Sequence, residues 1–252
     1  MKTLSFLVMA TGLLVAPAAL AQSPSPTEAR MDSMDRFFPL SESASAPPTV
    51  FRAQTTGQAT SSDSEQGYGV AQQVEVVLVP GLSLRAGGEL RNTTHGFTPI
   101  AQGKYQFLRQ ADHGLNASAG LRYKQVGFQP DGGEVEVFVA AGKRFGRLLA
   151  TGNVVAGRGV SSDEMDIEGH VGLGYLLGEN WLVGLNTRLQ QEIEDEGEAE
   201  VGHVGREFEL LGGAMAGYTW GPVDLSLLGG WYLPRASNSS GPLAMLQLGL
   251  NF

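Results

Sequence analysis

From residue 68 to residue 252, apolar and polar side chains alternate with a period of two. Val74, Val76 and Leu78 alternate with Gln73 and Glu75, and Leu82, Leu84, Ala86 and Leu90 with Ser83, Arg85, Glu89 and Arg91. The same rhythm returns in Leu115, Ala117, Ala119, Leu121 and Tyr123, in Val135, Val137 and Val139, and in Ile167, Val171, Leu173 and Tyr175. Val183, Leu185 and Leu189, then Phe208 and Leu210, then Val223, Leu225, Leu227 and Trp231 continue it. The last stretch, 242–252, sets Ala244, Leu246, Leu248, Leu250 and Phe252 against Gln247, Gly249 and Asn251. Each segment therefore predicts a strand with one apolar and one polar face. A soluble sandwich would alternate in the same way, so loops and aromatic rings must decide between the two.

The connections alternate in length. Short turns at 79–82, 110–114, 145–147, 177–180 and 221–222 alternate with longer loops at 91–97, 128–133, 158–165, 192–205 and 234–241. Short and long connections in strict alternation belong to transmembrane barrels, whose short turns face the periplasm. Aromatic residues fall into two bands in this register. Phe107, Phe145, Tyr175, Trp181, Tyr218, Trp220 and Phe252 lie by the short turns, and Tyr68, Phe97, Tyr123, Phe128, Phe208, Trp231 and Tyr232 by the longer loops. Amphipathic rings at both headgroup levels are the expected girdles.

The closing segment with its terminal Phe252 resembles that of bacterial outer-membrane β-barrel proteins. The resemblance implies that the assembly machinery reads this aromatic terminus. About eleven segments follow residue 68, and a closed bacterial barrel needs an even number. A further strand is expected around 49–57, with 58–66 as an outer loop. The expected fold is all-β: a closed antiparallel up-and-down transmembrane β-barrel of about 12 strands, or 10 if a weak segment fails to pair. Unpaired backbone groups are not viable in hydrocarbon, so the first strand must pair with the last.

Two segments precede the barrel. Residues 1–21 read as a secretory signal peptide: Lys2, an apolar run from Leu4 to Leu20, and the small-x-small site Ala19-Leu20-Ala21. Residues 22–48 are rich in Ser, Pro and Ala, and read as a largely disordered periplasmic tail. Within it Ser25, Pro26 and Glu28 have capping-box spacing, Met31, Met34 and Phe38 fall near one face, and Pro39 stops any helix. This patch reads as a transient helix, or as a plug or docking element for a periplasmic partner.

Composition narrows the chemistry. Glycine, 35 of 252 residues, is about twice ordinary usage, and Gly87, Gly120, Gly172, Gly174, Gly184, Gly213, Gly217 and Gly230 share the inward parity, where they vacate volume. The chain has no cysteine, which excludes disulfides and thiolate metal ligands. A net charge of −9 argues against a nucleic-acid partner. Outer-membrane lipids and lipopolysaccharide, and the assembly machinery at Phe252, are the partners the barrel reading implies.

The lumen face carries both signs of charge. Arg85, Glu89, Arg91, Lys104, Arg122 and Lys124 lie on early strands. Glu134, Glu136, Asp166, Glu168, His170, Arg188, Glu207, Glu209 and Asp224 lie on later ones. Such a face suits a transverse field in a narrow channel for small polar or charged solutes, or an interior salt-bridge network that fills the barrel. A non-conducting structural or binding barrel is the alternative function, and a membrane-embedded enzyme a third. Of the four histidines, His95, His113, His170 and His203, none has a serine two residues away on its strand face, so no catalytic residues are assigned. Asp166, Glu168 and His170 stand in one row, but neighbours about 7 Å apart do not converge on one ion, so no metal or other cofactor is expected. The acidic run 192–200 lacks the spacing of a calcium loop and reads as a solvated loop.

Overall fold

The structure is a computed structural model that describes residues 31–62, 66–92, 96–125, 132–161, 165–193, 208–235 and 239–252. The proposed signal peptide, Ser25 to Glu28, His95, His203, Phe128, Glu207 and all of the acidic run beyond Ile193 lie outside these residues.

Twelve antiparallel strands follow one another: β1 (Phe51–Ser61), β2 (Gln66–Val79), β3 (Leu82–Arg91), β4 (Gly96–Leu108), β5 (Asn116–Gln125), β6 (Gly133–Phe145), β7 (Leu148–Gly159), β8 (Met165–Leu177), β9 (Trp181–Ile193), β10 (Phe208–Trp220), β11 (Val223–Leu233) and β12 (Gly241–Asn251). Every strand pairs with its sequence neighbours, and β1 pairs with β12 from Arg52↔Asn251 to Thr60↔Leu243, so the barrel is closed. Beyond that ladder, Phe51 and Phe252 exchange backbone hydrogen bonds of 3.2 and 2.8 Å, and their rings lie 5.8 Å apart.

The first strand begins where the pattern places it but runs further. Residues 58–61, expected in a loop, remain in β1: 58–60 are held by β12 on one side and β2 on the other, and Ser61 by β2. Their Ser and Thr content misleads because Gln58 and Thr60 face a polar lumen and not a core. The connection 110–114 contains one helical turn, Gln110–His113, ended by Gly114 at φ 77°. Left-handed backbone of this kind favours glycine, and Gly81, Gly146, Gly178 and Gly221 adopt it in the other short turns.

The outward parity is greasy and exposed: Leu121, Val139, Leu173, Leu185 and Leu227 are examples. No soluble protein of this size leaves so continuous an apolar surface in water, and it matches the lipid-facing band of a transmembrane barrel. Phe107, Phe145, Tyr175, Trp181, Trp220, Trp231 and Phe252 are exposed on the outer face, and Tyr218 stacks on Trp181 with ring centroids 4.4 Å apart. Tyr232, expected in the outer band, instead has inward parity, and its hydroxyl donates to Glu209 at 3.3 Å.

Residues 31–48 are where the structure departs most from the sequence reading. They do not hang free below the barrel. They fold inside it, with Met34, Phe37, Phe38 and Ala44 essentially buried. A 3-10 turn, Met34–Phe37, is followed by a reversal at 38–41. Asp35 ties the two arms together, accepting hydrogen bonds from the Ser43 hydroxyl at 2.7 Å and the Ala44 amide at 2.8 Å. A Ser/Pro/Ala-rich composition denies this segment a core of its own, but the lumen supplies one.

Candidate lumen site

The plug lies in the half of the lumen next to the short turns, between two unlike walls. One wall is apolar. Leu149, Leu176, Leu182, Met215, Leu228, Leu243 and Met245 point inward from β7–β12 and form one cluster with Met34, Phe37, Phe38 and Leu40. Burying each large apolar side chain contributes about 1.5–3 kcal/mol. Inward glycines make the sockets. A Cβ on Gly217 would stand 2.7 Å from the Phe37 ring, and one on Gly172 would stand 2.7 Å from the Phe38 ring. The volume that these glycines vacate is filled by the plug.

Side-chain amides and hydroxyls on the same strands satisfy the backbone of the plug. Asn153 binds Glu42 twice, accepting its N–H at 2.9 Å and donating to its carbonyl at 2.6 Å. Asn186 accepts the Leu40 amide at 2.8 Å and donates to the Ser41 hydroxyl at 2.8 Å. Gln247 donates to the Arg36 carbonyl at 2.8 Å, and Ser226 to the Phe37 carbonyl at 2.6 Å. Buried irregular backbone persists only with such partners.

The other wall, β2–β6, is charged. Glu42 meets three cations: Arg85 at 2.8 Å, Lys104 at 3.5 Å and Arg122 at 3.3 Å. Burial pushes its carboxyl up, but these charges outweigh burial and hold it at about 2, well below the usual carboxylate range. For Asp35 burial outweighs the hydrogen bonds and nearby cations, and its carboxyl is pushed up. Each cation around Glu42 also has an acid on the wall: Arg85 bonds Glu75 at 2.9 Å, Lys104 lies 3.5 Å from Glu75, and Arg122 bonds Glu136 at 2.9 Å. Lys124 contacts Glu136 as well, and lies 3.5 Å from Glu134.

A second ionic contact of the plug lies by the seam. Arg36 of the plug grips Asp224 with two bonds, 2.7 and 3.0 Å, and Asn251 donates to the same carboxylate at 2.8 Å. Arg52, on β1, stands 3.9 Å from Asp224. It is 5% exposed, and its Nε and Nη2 lack hydrogen-bond partners. Two arginines thus compete for one acid, and the plug's holds it.

Among the described residues, the charges that the sequence places on the lumen face lie on the inward parity, divided between two levels. Arg85, Lys104, Arg122, Glu136 and Asp224 are engaged at or beside the plug. Glu89, Lys124, Glu168, His170 and Arg188 line a cavity of about 230 Å³ whose floor includes Leu40, Ser41 and Glu42. Toward the longer loops, Arg188 and Glu209 form an ion pair beside a second cavity of about 50 Å³, which shares Gln58, Arg91 and Arg188 with the first. Glu134 pairs with Lys124 at this level. Asp166, Glu168 and His170 do not act together: Asp166 accepts from Gln190 at 2.7 Å, while His170 bridges Glu168 and the Leu40 carbonyl.

The sequence reading missed the apolar wall, Arg52 and the amide partners of the plug. A signal for the wall exists where both parities are apolar together, as in Leu148-Leu149, Leu176-Leu177, Leu210-Leu211 and Leu227-Leu228. An inward leucine in a water-filled lumen would be wasted, so such doublets indicate something apolar inside.

No protein-family model and no curated sequence relative matches the chain. Solved structures do. The NanC porin is 12% identical, with a TM-score of 0.59 over 79% of this chain and 100% of that one. The KdgM porin is 7% identical, with a TM-score of 0.53 over 79% and 99%. An outer-membrane channel from Pseudomonas putida F1 is 12% identical, with a TM-score of 0.53 over 82% and 97%. What is shared at such identity is the architecture, a closed antiparallel β-barrel.

Proposed function

We propose that this chain is a narrow channel of the bacterial outer membrane for small polar or charged solutes, and that residues 31–48 close its periplasmic end. The observation that carries this reading is the polar column above the plug. Two cavities sharing Gln58, Arg91 and Arg188 run toward the longer loops, walled by Gln54, Thr56, Gln73, Glu89, Lys124 and Glu168. A barrel built only as a filled cylinder has no need of charged and amide side chains around empty volume. The short turns face the periplasm, as is general for such barrels. The apolar outer face takes lipid and lipopolysaccharide, and Phe252, 65% exposed at the seam, is available to the assembly machinery. We assign no catalysis: His170 is engaged by Glu168 and the Leu40 carbonyl.

One observation favours a second reading, a non-conducting barrel: the plug fills the lumen on both of its walls. Single-channel recording in a planar bilayer separates the two. The channel reading expects discrete openings in the full chain that become more frequent when the plug is weakened. A silent bilayer for both the parent and the weakened plug, with folding verified by heat-modifiable gel mobility, supports the filled barrel.

A further inference from the structure

The Glu42 carboxylate occupies a site that belongs to the wall. Arg85, Lys104 and Arg122 converge on it from β3, β4 and β5, at 2.8, 3.5 and 3.3 Å. Without Glu42, these three cations share two wall carboxylates, Glu75 and Glu136, and Lys124 also claims Glu136. The cluster is then one negative charge short. The existing wall pairs can hold the side chains in place, so the site outlasts the plug's departure and remains attractive to an anion. Arg122 also faces the cavity above the plug, which reaches Glu42 itself, so a solute descending from the longer-loop side past Arg188 and Lys124 arrives at this position.

We propose that Arg85, Lys104 and Arg122 form a binding site for the carboxylate of a small organic acid, and that Glu42 imitates this ligand in the closed state. The inference rests on the channel reading above and names its solute class. Guanidinium groups suit the site because their planar forks match a carboxylate. Binding is coupled to opening. Solute and Glu42 compete for the same three cations, so a carboxylate solute shifts the population toward the undocked plug in proportion to its preference for that state. The site by the seam supports release. When Arg36 leaves Asp224, Arg52 is 3.9 Å away and can neutralise the acid. The undocked barrel therefore need not bury an unpaired carboxylate at that point.

The test is single-channel recording of the full chain, and of Glu42→Gln and Glu42→Arg, with sodium gluconate against sodium chloride at equal ionic strength and sorbitol as the neutral control. In the parent, gluconate should raise opening frequency by roughly tenfold over chloride, the size expected when a competing ligand offsets one charged contact. In Glu42→Gln, openings should be frequent without gluconate, which should then produce only brief blockades. Equal action of gluconate and chloride in the parent means charge screening and overturns the proposal. So does an unchanged gluconate response in Glu42→Gln. Glu42→Arg separates this failure from that of the channel reading. If it folds but never conducts, the channel reading falls and the proposal with it. If it conducts while gluconate and chloride act alike on the parent, the proposal alone falls. A disulfide between Ser41→Cys and Asn186→Cys, positions whose side chains lie 2.8 Å apart in a chain without native cysteine, should silence the channel until reduced. A gluconate response that persists in the oxidised form also counts against the proposal.

Discussion

The two walls of the lumen hold the same short segment by different physics. On β7–β12 the plug is held mainly by shape, two phenyl rings in glycine sockets surrounded by leucine and methionine, with amide hydrogen bonds and the Arg36–Asp224 pair near the seam added to it. On β2–β6 it is held by charge, with Glu42 among three cations that already have acids of their own. Apolar contacts have no second partner to return to, and the cavity they leave is a direct loss. The ionic contacts are exchangeable, because the wall keeps Glu75 and Glu136 beside its cations and an incoming anion can make up the one charge that Glu42 leaves. The apolar wall therefore sets how tightly the plug sits, and the charged wall sets what can dislodge it.

The largest break in this division should come from the rings. Phe37→Ala with Phe38→Ala removes both fillings, at about 3–5 kcal/mol for each buried aromatic. The expected outcome is a plug that is mostly undocked, measured as tryptic cleavage after Arg36, which is 6% exposed in the docked form. Gly217→Val should act in the same direction from the wall side, since its Cβ would lie within 2.7 Å of the Phe37 ring. Resistance to trypsin equal to the parent's would show that shape is not what holds the segment.

Next in size is the double change Arg36→Gln and Arg52→Gln. It strips Asp224 of both cations and should cost about 3–5 kcal/mol, the penalty of a buried charge left alone. Urea-induced loss of folded gel mobility measures it. The two single variants should sum to much less than the double, because either arginine can serve the acid.

Glu42→Gln should weaken docking by about 1–3 kcal/mol, read again as cleavage after Arg36, and pH sharpens the prediction. The docked Glu42 carboxyl is held at about 2, against 4.5 for the free group. A depressed acid contributes its stabilisation above the free value and loses it as pH falls through the docked value. The docking difference between parent and Glu42→Gln, followed in acid by hydroxyl-radical labelling of Phe37 and Phe38 because trypsin does not cleave there, should be full at pH 6 and shrink from below pH 4.5 toward pH 2. Asp35, pushed up by burial, works in the opposite sense and is common to both proteins, so the comparison removes it. A difference that is flat across this range would remove charge from the account of the second wall. The smallest effect is expected from Arg36→Gln alone, about 1 kcal/mol or less in the same urea assay, with Arg52 taking over Asp224.

The barrel was legible because its signals are repeated. Alternation, paired turn lengths and aromatic bands each recur around the sheet, and Phe252 fixes the end of the count. The closing partner strand was deduced from parity of number and then found at Phe51–Ser61. The inward charges followed from the same alternation. The plug was legible only as one of several readings of the Met31, Met34 and Phe38 patch, because a segment with so little hydrophobic mass gives no local sign that its core will come from elsewhere. Its best marks were indirect: inward glycines with no turn to make, and apolar doublets such as Leu176-Leu177 facing a lumen otherwise lined by charge. Arg52 was invisible for another reason. Its importance lies in a contact that it nearly makes, and distance to Asp224 cannot be read from a strand pattern.

The attachment of the plug to β1 also orders how the molecule can be made. Two residues separate the segment from Phe51, while β12 supplies Leu243, Met245 and Gln247 to its bed. The closing strand of the barrel thus completes both the cylinder's wall and the seat of its stopper. A chain that zipped its margins first would have to thread a folded knot of side chains through a finished ring. Insertion of the N-terminal segment is best timed to the moment before sealing, when the open sheet can wrap around it as around a mandrel.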